Sequence, residues 1–199
     1  GGRKIEYKIS KILNEISNYD LIFIQENWKY KKLILDMLPM HQLIFGEERK
    51  NKFSHPSGLL IGINENIKII DYDEFIYKGC NGIIAHGSDC FASKGFIYLR
   101  IMFNGQKLDI YNTHLDSGDS IKDNITRRIQ LSSLKDYVIE NSVNNSIIIC
   151  GDFNMDYKNS LHIKDFIDQL ELDLLLWDDK YFLEKKVDYI FYRLDTSQV

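Results

Sequence analysis

Two polar side chains, Asp152 and Asn154, follow directly on a run of apolar residues at positions 147–149 and on Gly151. The apolar run predicts a buried strand that ends in a tight turn. Side chains two positions apart on an extended segment share a face, so the carboxylate and the carboxamide point the same way. That pair suits a hard divalent cation beside a water or phosphate oxygen. Asx residues after a strand also form ordinary turns, so the motif does not decide by itself.

Three further ends of predicted strands carry polar groups of the same kind. Glu26 ends a strand that begins at position 21, His114 follows the apolar segment 108–111, and Asp188 opens the last predicted strand. Each has an ordinary structural interpretation: a helix N-terminus for Glu26, a buried core histidine for His114 and a loop contact for Asp188. Carboxylates at the ends of apolar strands are costly unless something pairs with them. The coincidence of four such ends therefore favours one shared polar site.

The composition narrows the class of protein. At 199 residues the chain is long enough for one domain with a substantial core. Lys+Arg 25 against Asp+Glu 29 gives a net charge of −4, which argues against a surface that holds nucleic acid stably. A nuclease is not excluded, because a bound metal supplies local positive charge.

The sequence contains no run of 18 apolar residues, so it predicts no membrane span. Cys150 is predicted to be a small core residue. Cys80 and Cys90 could form a disulfide in an oxidising compartment, although the interpretation as reduced thiols is favoured.

Helical and strand patterns alternate along the chain. The spacing of apolar residues predicts helices over 4–17, 28–38, 123–140 and near 160–170. Strands are predicted over 21–26, 58–63, 67–70, 96–103, 107–112, 146–150 and 187–191, with a hairpin turn at positions 104–105. Fully apolar strands imply sheets that are covered on both faces. The prediction is an α/β fold, a layered sandwich of two mixed β-sheets flanked by helices.

Four segments, 19–26, 112–115, 151–154 and 187–190, resemble in order the motifs of the endonuclease/exonuclease/phosphatase superfamily. Arg127 and Gln130, on the helix after the histidine motif, fit the same pattern. The resemblance covers nearly the whole chain and implies a single DNase-like domain over residues 1–199.

One segment is similar to the neutral sphingomyelinase branch of that superfamily. Asp89 lies five residues before Lys94, and Lys94-Gly95 opens a predicted strand. An ordinary turn before a strand, or a solvated Asp89–Lys94 ion pair, would give the same residues.

The resemblance implies a hydrolase of phosphate esters that uses Mg²⁺. Glu26 would bind the metal, and Asp152 and Asn154 would orient the attacking water and a phosphate oxygen. Phosphoryl transfer requires an in-line nucleophile and neutralisation of the charge on the phosphate, which a metal and fixed donors supply.

The remaining candidate residues would act on the phosphate or on a base. His114 would contact the phosphate, Lys94 would add positive charge with Asp89 holding it, and Asp188 would orient a catalytic histidine. The first strand of the superfamily, which ends in a metal-site asparagine, and its closing Ser-Asp-His motif find no match in the 199 residues. We therefore expect these residues to turn over slowly or not at all, because proton abstraction from water lacks its base.

Three functions remain open at this point. The first is a sphingomyelinase-like phosphodiesterase that releases phosphocholine and ceramide from sphingomyelin at a membrane surface. The second is a metal-dependent endonuclease on the same fold, and the third is a non-catalytic relative. The expected location is the cytoplasm or the membrane periphery, with secretion left open.

Overall fold

A computed structural model describes residues 2–46, 56–78, 93–175 and 187–195. The helices of these segments are α1 (Gly2–Ile16), α2 (Lys31–Met37), α3 (Ile121–Asn141) and α4 (Leu161–Leu170). The strands are β1 (Leu21–Ile24), β2 (His41–Phe45), β3 (Leu60–Asn64), β4 (Lys68–Ile76), β5 (Gly95–Phe103), β6 (Gln106–His114), β7 (Ser146–Asp152), β8 (Asp173–Leu174) and β9 (Asp188–Arg193). No helix of the described residues is long and apolar enough to cross a membrane.

The strands form two sheets. The smaller has three strands in the order β1-β3-β2, and the larger has six in the order β4-β5-β6-β7-β9-β8. Strands β6 and β7 are parallel, and the other described pairs in the larger sheet are antiparallel. The predicted layered α/β sandwich is confirmed, although the smaller sheet is antiparallel in both of its strand pairs instead of mixed.

Alternation along the strands divides the core into layers. In β3, Ile61 and Ile63 face the larger sheet, whereas Leu60 faces α1 and α2. In β5, Phe96 and Tyr98 face the α3 side, whereas Ile97, Leu99 and Ile101 face the smaller sheet. The layer between the sheets is formed by Leu59, Ile61, Ile63, Ile97, Leu99, Ile101 and Ile110. Each such buried side chain contributes about 2 kcal/mol of transfer free energy, so this layer fixes the two sheets against each other.

Helices α3 and α4 cover the outer face of the larger sheet. Leu134 and Val138 of α3 and Phe166 of α4 pack with strand residues in one cluster. Helix α3 begins with a capping box: the Ser120 side chain accepts from the Asp123 N–H, and the Asp123 carboxylate accepts from the Ser120 N–H. This cap fixes where α3 starts after the loop that follows β6.

Several details differ from the sequence-based expectation. Strand β2 was not predicted, and β4 runs on to Ile76 because the outer edge of a sheet tolerates acidic residues that hide a strand pattern. Helix α2 begins at Lys31 instead of position 28, because a turn precedes it. In this turn the Trp28 N–H donates to the Glu26 carbonyl. Cys150 is only half-buried and is not a full core residue. Cys80 and Cys90 lie outside the described residues.

Candidate active site

The polar strand ends predicted from the sequence meet at one edge of the sandwich. Because β6 and β7 are parallel, their carboxyl ends coincide, and His114 pairs with Asp152 in the register. Asp152 in turn pairs with Asp188 at the start of β9. Gly95 at the start of β5 pairs with His114, so the preceding residue, Lys94, lies at the same edge of the sheet. We call this set of strand ends, together with Glu26 at the end of β1, the polar edge.

Two glycines let the backbones approach closely here. A Cβ at Gly151 would lie 2.0 Å from the Thr113 carbonyl oxygen, and one at Gly95 would lie 2.2 Å from the Phe75 carbonyl oxygen. Neither backbone oxygen can move away without parting paired strands. The glycines are therefore needed to keep the four neighbouring strands β4, β5, β6 and β7 in register beneath the polar edge.

A buried cation lies directly against the histidine. Lys94 Nζ is 2.7 Å from His114 Nε2, and the two residues are 5% and 2% exposed. An ammonium group can only donate, so Nε2 of His114 accepts and the ring proton lies on Nδ1. The Lys94 carbonyl accepts from the Tyr77 N–H, and Tyr77 Oη lies 2.8 Å from Thr113 Oγ1. Tyr77 thus holds the lysine backbone, and His114 contacts its side chain.

Asp152 and Asn154 form a fixed turn beside that pair. Asp152 Oδ2 lies 3.6 Å from His114 Nε2, and its Oδ1 accepts from the Asn154 N–H at 2.9 Å. Asn154 adopts a left-handed backbone (φ 50°), and its Nδ2 donates to the Leu115 carbonyl. Side-chain contacts thus hold Asn154 in a conformation that asparagine tolerates better than most residues.

The pKa of Asp152 is raised to about 6, first because burial penalises its charged form. The negative charges of Asp188 and Glu26 raise it further, while the Asn154 N–H and the Lys94 ammonium oppose the rise. Three carboxylates therefore influence one another across the polar edge, and a cation bound there would relieve their repulsion.

Glu26 and Asp188 form the exposed rim of the polar edge. Glu26 has a left-handed backbone (φ 59°), and the next residue, Asn27, donates its N–H to the Gly58 carbonyl at 2.9 Å. Within the described segments, no three His, Cys, Asp or Glu side chains are close enough to enclose a metal ion. Mg²⁺ usually keeps several waters and binds through one or two carboxylates, so an open rim of oxygen donors fits this ion.

Arg127 and Gln130 hold the loop that follows β6. The Arg127 guanidinium donates to the carbonyls of Asp116 and Gly118, at 3.1 and 2.7 Å. Gln130 Oε1 accepts from the Asp116 N–H at 2.8 Å. Both side chains are buried, so helix α3 fixes the backbone immediately after His114.

The structure brings together all of the predicted site residues that it describes. They are Glu26, Lys94, His114, Asp152, Asn154 and Asp188. Asp89, the predicted partner of Lys94, lies outside the described residues. Two other described histidines lie elsewhere, His41 against the Tyr19 carbonyl and His162 in the groove between α3 and α4.

The sequence singled out segment 112–115 as a motif, but it did not predict the buried contacts that two of its residues make beneath the polar edge. Asn112 and Thr113 are fully buried, and Gln25 reaches Asn112 from the other sheet. The available signal was Asn112 itself, a polar residue two positions after apolar Ile110 and therefore on the same inward face of β6. A buried side chain of this kind must find a hydrogen-bond partner, which predicts a polar contact there.

The sequence profile of Endonuclease/Exonuclease/phosphatase family 2 matches residues 6–198. The chain belongs to this family. Among curated relatives, it is 26% identical over 225 residues to Sphingomyelinase C 2 of Leptospira interrogans serogroup Icterohaemorrhagiae serovar Lai (strain 56601). That match covers 92% of the chain and 34% of the relative, so the chain spans about a third of that protein's length.

Solved structures share the fold of this family member. A mutant beta toxin from Staphylococcus aureus with bound magnesium ions superposes with a TM-score of 0.74 at 21% identity, covering 96% of this chain and 77% of the toxin. Sphingomyelinase C from Streptomyces griseocarneus gives a TM-score of 0.72 at 15% identity, covering 96% and 77%. The chain is thus a sphingomyelinase-like member of the endonuclease/exonuclease/phosphatase superfamily.

Proposed function

We propose that this domain is a Mg²⁺-dependent phosphodiesterase that hydrolyses sphingomyelin to ceramide and phosphocholine. The observation that carries the proposal is the buried Lys94–His114 pair, 2.7 Å apart, which lies beneath a rim of carboxylates. A buried ammonium donor is suited to phosphate oxygens, and the carboxylates above it are suited to a divalent cation. Similarity to Sphingomyelinase C 2 supports the choice of substrate.

Lys94 and His114 would receive the phosphodiester. Lys94 is buried and supplies a positive charge in a region of low effective dielectric, where it attracts a phosphate oxygen more strongly than in water. His114 would contact a second phosphate oxygen. Their contact with each other fixes both groups before the substrate arrives, so little reorganisation is needed as negative charge develops.

Glu26 would hold the metal at the exposed rim. Asp152 lies close enough to Glu26 for the charge of Glu26 to raise the pKa of Asp152. Bound Mg²⁺ would supply charge neutralisation on the phosphate. Asp152 would orient the water by accepting a hydrogen bond from it, and the Asn154 amide is fixed within the same turn.

The reaction joins the water oxygen to phosphorus and breaks the bond between phosphorus and the ceramide oxygen, which leaves with a proton. Asp188, paired with Asp152 in the register, would orient a basic group beside the water. Among the described residues, His41 contacts the Tyr19 carbonyl and His162 lies in the groove between α3 and α4, so neither is placed to be that base.

The test is phosphocholine release from sphingomyelin vesicles, measured with Mg²⁺ and with EDTA, beside plasmid nicking. Imidazole is added in a parallel series as an external base. Release that requires Mg²⁺, is raised by imidazole and is lost in Lys94→Gln would support the proposal. Nicking without phosphocholine release would replace it with the endonuclease. Neither phosphocholine release nor nicking, with or without imidazole, would identify a non-catalytic relative.

Because the proposed substrate is a membrane lipid, the working enzyme would act at a membrane surface. Vesicles of phosphatidylcholine serve as the matched control, since they present the same headgroup on a different backbone. Equal release from both vesicles would limit the proposal to choline phospholipids in general.

A further inference from the structure

Asn112 joins the two sheets directly beneath Glu26. It is fully buried on β6, with Ile110 and His114 on the same inward face. Its Nδ2 donates to the carbonyls of Ile24 and Leu60, at 3.1 and 2.9 Å. These two carbonyls belong to paired residues at the end of β1 and the start of β3. One amide of the larger sheet therefore holds two strands of the smaller sheet.

The other end of the same amide holds the residue next to Glu26. Asn112 Oδ1 accepts from Gln25 Nε2 at 2.7 Å. The backbone on the far side of Glu26 is fixed as well, because the Asn27 N–H donates to the Gly58 carbonyl. Glu26 lies between these anchors in a left-handed conformation that glutamate rarely adopts. A conformation of this kind persists when its surroundings determine it.

We propose that Asn112, acting through Gln25 and the Ile24 carbonyl, is a positioning residue for Glu26. The larger sheet carries His114 and Asp152, whereas the smaller sheet carries Glu26. The separation of the metal carboxylate from the phosphate-binding pair therefore depends on how the two sheets are joined at this edge. Asn112 makes that join two residues from His114, on the same strand face. This inference rests on the proposed metal site, and it concerns how Glu26 is held there.

Two substitutions separate positioning from simple support of the fold. Gln25→Ala removes one hydrogen bond and leaves those to Ile24 and Leu60, so the sheets stay joined. Asn112→Ala removes all three. The matched control is Asn145→Ala, because Asn145 is a buried asparagine whose Nδ2 donates to Asp109 at the other end of β6. All three variants lose stability, but only the first two should affect the backbone around Glu26.

The first measurement needs no metal. Amide hydrogen exchange at Asn27, in EDTA and well below the unfolding temperature, reports on the anchor beyond Glu26. We expect exchange to rise about tenfold in Gln25→Ala and more in Asn112→Ala, with no change in Asn145→Ala, since local opening is set by local contacts. Exchange at Asn27 that follows overall stability equally in all three variants would overturn the proposal.

The second measurement is Mg²⁺ affinity by calorimetry. We expect about a tenfold loss in Gln25→Ala and Asn112→Ala, the effect typical of residues that orient metal ligands. In a Glu26→Gln background the same changes should cause no further loss, because the coupling passes through Glu26. Additive losses in that background would contradict the proposal. If the wild-type chain binds no Mg²⁺, the proposed function fails, while the exchange experiment still decides the role of Asn112.

Discussion

His114 Nε2 lies between Lys94 Nζ at 2.7 Å and Asp152 Oδ2 at 3.6 Å, so one ring nitrogen faces a cation and an anion on neighbouring strands. The arrangement follows from register. Gly95 pairs with His114 across β5 and β6, and His114 pairs with Asp152 across β6 and β7. A phosphate oxygen that approaches Lys94 must therefore come within reach of all three side chains.

Replacing Lys94 by glutamine should weaken phosphate binding more than it weakens the fold. The variant loses a charge-assisted hydrogen bond of about 2 kcal/mol, which corresponds to a loss of phosphocholine affinity of tenfold or more. Titration followed by NMR in the presence of Mg²⁺ measures this. Lys78→Gln is the control, because Lys78 is exposed after β4. Equal affinities for the two variants would show that Lys94 does not contact the phosphate.

Asp152→Asn should stabilise the metal-free protein at neutral pH. In the folded state the pKa of Asp152 is about 6, above its ordinary value, so between about pH 4 and pH 6 the folded state holds a proton that the unfolded state has released. The favourable contribution of Asp152 is complete below about pH 4 and is lost as the pH rises to about 6. The stability gained by Asp152→Asn should therefore grow over that window and reach about 1–3 kcal/mol.

Urea unfolding in EDTA at a series of pH values measures this difference. Asp36→Asn, on an exposed position of α2, controls for removing an acidic group. A stability gain that does not change with pH would indicate that burial does not penalise the Asp152 carboxylate. Saturating Mg²⁺ should reverse the order of stabilities, because wild-type Asp152 then lies beside a cation.

Local sequence patterns were enough to predict the strand ends of the site. The turn at Asn104 and Gly105 joins β5 to β6 as expected, and the apolar run before Gly151 becomes β7. Strand β4 was predicted too short, because half of its residues face water and mix acidic with apolar types. Periodicity reports burial, and an edge strand is only partly buried.

The contacts that assemble the site could not be predicted in the same way. Gln25 and Asn112 are 87 positions apart, and their bond depends on how two sheets pack face to face. The approach of Lys94 to His114 depends on strand register, which a single sequence specifies only through the whole pattern of buried faces. The residue types were visible in the sequence, whereas their partners required the fold.

Asp109→Asn should destabilise the domain without altering the polar edge. Asp109 is fully buried, and its carboxylate accepts from Arg100 Nε and Nη2 at 2.7 and 3.0 Å. Removing its charge leaves the guanidinium poorly paired, at a cost of about 3 kcal/mol. Asp109 is five residues from His114 along β6, about 17 Å away.

Thermal unfolding should therefore show a clear loss for Asp109→Asn, while calorimetry of the folded protein should show wild-type Mg²⁺ affinity. Asp136→Asn, on an exposed position of α3, is the matched substitution and should change neither quantity. A weaker Mg²⁺ affinity in Asp109→Asn would mean that the two ends of β6 are coupled.

Gly151→Ala tests whether close approach of β6 and β7 sets the site geometry. The new methyl group would lie 2.0 Å from the Thr113 carbonyl oxygen, so the two strands must part at the position where His114 and Asp152 face each other. Overpacking against backbone costs about 3 kcal/mol or more, and the folded fraction should bind phosphocholine and Mg²⁺ more weakly.

Gly105→Ala is the control, because Gly105 also has a positive φ (82°) but has no neighbouring atom within 4 Å of the added Cβ. It should cost only about 1 kcal/mol of backbone strain and leave both affinities unchanged. Equal losses of stability and binding for the two alanine variants would show that backbone strain, and not strand separation, governs the site.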